Sequence, residues 1–292
     1  MKNLCFLVLG MAIYCTACQN KGQKTTSAEQ SATAPNLEHK NLNGFWVGDF
    51  IAQEYKEGES FHVSNKINLA IKSIVNGVVT AQSIVAGNKR PLTGKMTERN
   101  GKTIFNLAEP GDNKYDGRFE FELVNDTLVG TWTAYDTTLP VTKRSFRLTP
   151  KEFSYNPNVM LSGENDYIDY YSSQTKTRVD TVDGVVDTLK DNYYRQANNI
   201  VYKVNSSTHA FTEAELKNLK KLDLEILRNT IFARHGYTFK KIGYRQFFDP
   251  VEWYVPVTDN VDGQLSATEK ANIKLFVRFE KYATDNYDTF GR

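Results

Sequence analysis

Apolar and polar residues alternate with a period of two over residues 44–149, as they do in half-buried β-strands. Ile67, Leu69 and Ile71, for example, are separated by polar or small neighbours. The alternation predicts eight strands, near residues 44–54, 66–75, 78–86, 91–98, 102–108, 118–124, 127–135 and 142–149.

Tight-turn dipeptides separate these predicted strands. Asn76-Gly77 and Asn100-Gly101 are strong signals for two-residue hairpin turns, because both turn positions need a positive φ. Consecutive hairpins make an antiparallel meander. Eight such strands can close into a small barrel that has no free sheet edge.

Two Gly-x-Trp segments carry a further resemblance. Gly44-Phe45-Trp46 opens the first predicted strand, and Gly130-Thr131-Trp132 lies in the seventh. A Gly-x-Trp on the first strand resembles the barrel floor of lipocalin-like and avidin-like folds. We favour Trp46 and Trp132 as core residues, and walls of a ligand pocket are the alternative.

Residues 151–204 are polar and rich in tyrosine, and we interpret them as a linker. Similar arms on either side of Asp183-Gly184, within residues 179–188, predict a β-hairpin with a type I′ turn. The aspartates there do not follow the spacing of a calcium loop, so we expect them on solvated strand faces.

The apolar period becomes helical after Phe211. Thr212 and Glu215 form a predicted capping box, and apolar residues then recur every three or four positions until Gly236, with a possible break near Lys220. A second capping box at residues 266–269 begins a final helix. The sequence therefore predicts an α+β protein of two domains, a barrel-like one at 41–150 and a small helical one at 205–292.

The first eighteen residues have the layout of an export signal. Lys2 precedes a short apolar run, residues 4–14, which is too short to span a bilayer as a helix. The segment Cys15-Thr16-Ala17-Cys18 resembles the lipobox of bacterial lipoproteins, with Cys15 where leucine is usual. We expect a signal peptide at 1–17, a lipid on Cys18 that anchors the protein to a membrane, and a flexible tether at 18–40.

The positions of the cysteines agree with a lipidated N-terminus. The three cysteines, Cys5, Cys15 and Cys18, all lie in this leader, so only Cys18 would survive cleavage before it. A plain signal peptide that leaves a free thiol is the alternative, although an exposed thiol is a liability in an oxidising compartment. The formal net charge of +2 gives no field that favours nucleic acid, so we expect no nucleic-acid partner.

The segment Arg228-Asn229-Thr230-Ile231-Phe232-Ala233-Arg234-His235-Gly236 is the most distinctive in the chain. Together with residues 244–248 and 253–256 it resembles the YARHG domain, a small bacterial extracellular module, over residues 212–283. Phe232 stands where the family has tyrosine. The resemblance implies a cell-envelope module, for which a role at the cell wall is one expectation, and supplies no catalytic residues.

Two interpretations of this motif remain open. In the structural one, Arg234 and His235 satisfy the last carbonyls of a helix, and Arg228 and Asn229 fix the following loop. In the functional one, a basic strip with interleaved aromatic rings binds an anionic envelope polymer through bidentate arginines. The candidate binding residues are Arg228, Asn229, Arg234, His235, Lys240, Lys241, Arg245, Trp253 and Tyr254.

Signatures of enzymes are mostly missing. The histidines have no metal-ligand spacing, and the chain has no nucleophile elbow, P-loop or cysteine nucleophile in its folded part. We therefore expect no metal or cofactor, and a non-catalytic binding module of the envelope is the first hypothesis. A carrier that holds a small ligand in the barrel and an enzyme with an unrecognised carboxylate site are the alternatives.

Overall fold

The computed structural model describes residues 41–285, apart from the side chains of residues 173, 174, 176 and 182. Its first part is a closed antiparallel barrel in which each strand pairs with the next, and the first strand pairs with the eighth. The strands are β1 (Gly44–Tyr55), β2 (Ser64–Val75), β3 (Val78–Val85), β4 (Asn88–Arg99), β5 (Lys102–Ala108), β6 (Gly117–Val124), β7 (Thr127–Ala134) and β8 (Val141–Lys151). The predicted eight-stranded meander and its closure are confirmed.

The turns have the backbone that the dipeptides require. Asn76 and Gly77 have φ values of 51° and 75°, and Asn100 and Gly101 have 53° and 73°. Because two-residue turns of this type match the right-handed twist of the strands, the register follows from the turn positions. The turn at Ala86-Gly87 also has positive φ values, 50° and 75°, but its sequence does not predict a turn because alanine is unusual at a positive φ.

Alternate residues of the strands fill the barrel. Trp46 and Trp132 are only 4% and 7% exposed, as expected of core residues. The Trp46 indole donates a hydrogen bond to the carbonyl of Leu42, 3.0 Å away. Further residues buried in the barrel core include Ile67, Leu69, Leu92, Phe105, Leu107, Phe121, Leu128, Phe146 and Leu148.

The predicted hairpin around Asp183-Gly184 is present but much longer than predicted. It consists of β9 (Ile168–Val182) and β10 (Val185–Gln196), which form a separate two-stranded sheet. Its outer part exposes valines, among them Val179 and Val185. The sequence signal was strongest near the turn, since the arms are polar and lack a buried face.

Five helices follow among the described residues, and two of them begin at the predicted capping boxes. They are α1 (Ile200–Lys203), α2 (Glu213–Leu216), α3 (Lys221–Arg234), α4 (Ile242–Phe248) and α5 (Ala267–Glu280). The predicted break near Lys220 separates α2 from α3. Helix α4 was missed because it is short and contains Gly243, and the burial of Phe247 and Phe248 stabilises it.

A second apolar core lies between these helices. Leu224, Ile231 and Phe276 are fully buried in it. Leu161 and Tyr167, from the predicted linker, are buried in the same core. The α+β class is thus confirmed, whereas the domain boundaries stay a prediction.

Strand β2 of the barrel makes direct polar contacts with the chain around α4. The Lys66 ammonium donates to the carbonyls of Val251 and Tyr254, at 2.8 and 3.0 Å. The Asn68 amide donates to the carbonyl of Pro256 at 2.8 Å. The barrel and the helices are therefore joined by hydrogen bonds between buried or partly buried groups.

Candidate functional site

A pocket of about 400 Å³ opens at one end of the barrel. The rings of Phe50, Phe119 and Trp132 line its inner part, and Leu139 and Val141 add aliphatic surface. The volume lies in the range of about 300–1,000 Å³ that is typical of small-molecule sites. Trp132, interpreted from sequence mainly as a core residue, therefore also lines a cavity.

Arg144 places a buried positive charge on the wall of this pocket. The side chain points inward from β8, is 9% exposed, and lies over the Phe50 ring with 5.4 Å between the guanidinium carbon and the ring centre. Its hydrogen bonds go to the carbonyls of Phe50, Val63 and His62, at 3.0, 3.3 and 3.0 Å. Burial, together with the charge of Arg245, lowers the pKa of Arg144 to about 10.

Glu109 places a buried carboxylate on the same pocket. It accepts hydrogen bonds from the Gly117 backbone at 2.7 Å, the Ser83 hydroxyl at 3.1 Å and the Trp132 indole at 3.2 Å. Burial raises the pKa of Glu109, although these hydrogen bonds oppose the rise. The nearby Arg90 pairs with Asp116 at 2.8 Å.

The Arg-His-Gly segment ends α3 and is almost completely buried. Arg234 is 3% exposed and donates to the Val159 carbonyl at 2.9 Å and to the hydroxyls of Ser206 and Ser207 at 3.1 and 3.0 Å. These acceptors belong to other segments, not to the last turn of α3 as the sequence analysis expected. Arg234 therefore fixes two loops against the helix end.

His235 connects the end of α3 to the start of α5. Its Nε2 lies 3.0 Å from Glu269 Oε2, and its ring stacks on Tyr155 with 4.1 Å between ring centres. The Tyr155 hydroxyl donates to the other oxygen of Glu269 at 3.1 Å. Gly236 has a φ of 70°, and a Cβ at this position would meet the Phe153 ring at 2.8 Å, so the motif needs glycine here.

Arg228 and Asn229 lie one turn earlier and have different roles. Arg228 forms an ion pair with Glu280 of α5 at 2.5 Å and donates to the Tyr244 hydroxyl at 3.3 Å. Asn229 donates at 2.8 Å to the carbonyl of Glu225 within its own helix. Neither contact is the loop contact that the sequence predicted.

Part of the predicted basic strip lines one open cleft. Arg228, Asn229, Lys240 and Lys241 surround a space of about 610 Å³ beside aromatic rings that include Tyr244. Lys240 and Lys241 are exposed. Acidic groups lie at the same cleft, namely Asp259 and Asp262.

The Arg-His-Gly segment and all five helices fall in or next to the part of the chain that matches a known family. Residues 198–281 match the family model of the YARHG domain. A YARHG domain is typical of extracellular and periplasmic proteins. No curated protein and no solved structure matches the chain. Among residues 41–285 there is no helix that is both long and apolar enough to cross a membrane.

The remaining candidates lie inside the YARHG domain or at its contact with the barrel. Arg245 is 6% exposed and donates to the Asn65 side chain on β2 at 2.6 Å. Trp253 donates to the Met160 carbonyl at 2.8 Å, and the buried Tyr254 hydroxyl donates to the Tyr237 carbonyl at 2.7 Å. The structure thus separates these residues from the cleft, and a binding role for any of the nine stays a prediction. Cys18 lies outside the described residues.

Sequence reasoning did not find Arg144 and Glu109. Each is one charged residue within an otherwise ordinary strand or strand end. The available signal was the alternation along the strand, since Arg144 occupies the same inward-facing set of positions as Phe146 and Leu148 on β8. A charge in the apolar phase of a predicted strand is unusual, because charged side chains are rarely buried unless they are paired or hydrogen-bonded.

Proposed function

We propose that the protein is a lipid-anchored envelope protein that binds a small ligand, without catalysis, in the pocket at the barrel end. The observation that carries this proposal is the cavity of about 400 Å³ at the end of a closed barrel, whose lining includes the rings of Phe50, Phe119 and Trp132. A packed barrel end would leave no such space, and an apolar cavity with a few fixed polar groups is typical of ligand sites. The lipid on Cys18 would keep the pocket close to a membrane.

Dye fluorescence tests this proposal. The chain from Gln19 onward, without lipid, is titrated with phenylnaphthylamine, a neutral dye that becomes bright in apolar sites. We expect saturable binding, which Val141→Trp removes because the new ring fills the pocket. Val78→Trp, on an exposed position of β3, is the matched control and should bind like the wild type. Absence of saturable binding, or equal binding by both variants, contradicts the proposal.

The cleft of the YARHG domain supports a second candidate function. Lys240 and Lys241 are exposed beside Arg228 at one open space, which suits an anionic envelope polymer. Cosedimentation with isolated envelope polymers tests it, with the Lys240→Ala/Lys241→Ala double variant beside the wild type. Binding that the double variant loses favours the cleft, whereas unchanged or absent binding excludes it.

A further inference from the structure

We propose that the ligand of the barrel pocket carries a negatively charged headgroup and that Arg144 binds this group. The inference rests on the proposed function of the pocket, and it names the class of ligand: a small amphipathic anion. The aromatic end of the cavity would hold the apolar body.

The hydrogen bonds of Arg144 leave part of its guanidinium unused. A guanidinium has five N–H donors. Three bonds from Arg144 are found among the described residues, and all three end on neutral carbonyls. The side chain lines the cavity, so the remaining donors are within reach of a bound molecule.

Arg144 also lacks a counter-ion among residues 41–285. Two partly buried arginines do have one: Arg90 pairs with Asp116, and Arg195 pairs with Asp169 at 2.6 Å. The buried Arg234 and Arg245 form no ion pair among these residues either, but neither of them lines the barrel pocket. A buried charge without an opposite charge is costly unless hydrogen bonds satisfy it, and the bonds of Arg144 use only part of its donors. A ligand anion would provide the missing charge and could accept two parallel hydrogen bonds from the fork of the guanidinium.

The surroundings of Arg144 add positive charge from the YARHG domain. Arg245 approaches from α4 to reach Asn65 on β2, and its charge helps to lower the pKa of both Arg144 and His62. His62 lines the same pocket. An anion at Arg144 would therefore relieve repulsion between groups from two parts of the molecule.

Glu109 is the negative group that a bound anion would meet. Its oxygens already accept three hydrogen bonds from fixed donors, so its charge is better satisfied than that of Arg144. Burial raises its pKa, which favours the neutral acid. Arg144, and not Glu109, is thus the charged group of the pocket that a ligand of opposite charge would satisfy.

Two dyes with the same aromatic skeleton test the inference. Anilinonaphthalene sulfonate carries a sulfonate, and phenylnaphthylamine does not. We expect the wild type to bind the anionic dye more tightly, on the order of tenfold, which is the ratio that one hydrogen bond to a charged group supplies. Arg144→Met should lose this preference while it keeps the neutral dye.

Matched variants keep the test decisive. Arg147→Met, on the outward face of the same strand, should keep the preference. If Arg144→Met fails to fold, Arg144→Lys retains the charge without the fork and should show a reduced preference. Equal affinity of the wild type for the two dyes overturns the anionic headgroup but leaves the proposed function intact. Binding of neither dye overturns both.

Discussion

His235 Nε2 lies 3.0 Å from Glu269 Oε2, and both side chains are almost completely buried. The same Glu269 oxygen accepts the backbone N–H of Ser266 in the capping box of α5. One carboxylate therefore fixes the start of α5 and the end of α3 together. The histidine of the YARHG motif is a contact within the fold.

The ionised form of Glu269 should stabilise the protein at neutral pH. Burial tends to raise its pKa, but the bonds from His235 and Ser266 outweigh this and lower it from 4.5 to about 2. The contribution is complete above the unfolded-state value near 4.5 and is lost as the pH falls towards 2. Glu269→Gln should cost about 1–3 kcal/mol at pH 7. Urea unfolding at several pH values measures this cost, which should shrink below pH 4.5. The prediction is wrong if the loss of stability in Glu269→Gln does not change with pH, or if the exposed Glu57→Gln loses as much.

Arg228 should matter for stability more than the lysines of the cleft. Its removal leaves the half-buried carboxylate of Glu280 without its cation, so Arg228→Ala should destabilise the chain by about 1–3 kcal/mol. The Lys240→Ala/Lys241→Ala variant should change stability by less than about 0.5 kcal/mol, since both side chains are exposed. Thermal unfolding of the full chain compares them. Equal melting temperatures would show that Arg228 is free for recognition.

Lys66 should hold the barrel against the YARHG domain. Lys66→Ala removes the donor for the carbonyls of Val251 and Tyr254, and we expect a loss of about 1–3 kcal/mol. Lys72→Ala, at an exposed position of the same strand, should cost less than about 0.5 kcal/mol. Denaturant unfolding measures both values. If both variants lose the same free energy of unfolding, the Lys66 contacts do not contribute to stability.

Binding of the anionic dye should tighten as the pH falls. Burial raises the pKa of Glu109. As the pH falls, Glu109 therefore takes up a proton, and loses its negative charge, at a higher pH than an ordinary carboxyl group does. Glu109→Gln should bind the dye more tightly at pH 7 and lose much of this dependence. His62, whose pKa burial lowers, also faces the pocket, and His62→Gln separates its effect. Titrations of the neutral dye, which should not respond, provide the reference. An unchanged pH dependence in Glu109→Gln would exclude Glu109 as the cause.

Cys18 should decide where the protein resides. In Cys18→Ser the sulfur that would carry the lipid is absent, so the protein should leave the membrane fraction or remain unprocessed. Fractionation followed by mass measurement of the intact chain distinguishes these results. Cys5→Ser, within the leader, should have no effect. A Cys18→Ser protein that stays with membranes at the mature mass would contradict lipid anchoring.

The sequence by itself determined the eight barrel strands, the helices that begin at the capping boxes and their order, but not α1 or α4. The period of two, the Asn-Gly turns and the two capping boxes are local signals, because they depend on residues no more than a few positions apart. The nine-residue motif likewise identified the YARHG domain. These features fixed the strands from Gly44 to Lys151 and the ends of α3 and α5 to within a few residues.

Only the tertiary structure decided what the charged residues do. Arg234, His235 and Arg245 formed one basic strip along the chain, yet folding buries each against a different partner: Val159 and two serines, Glu269, and Asn65. Arg245 and Asn65 are 180 positions apart in the sequence, so no local signal specifies their contact. Closure of the barrel likewise leaves Arg144 without an acidic partner among the residues that the structure describes, because which charges become neighbours depends on how distant segments pack.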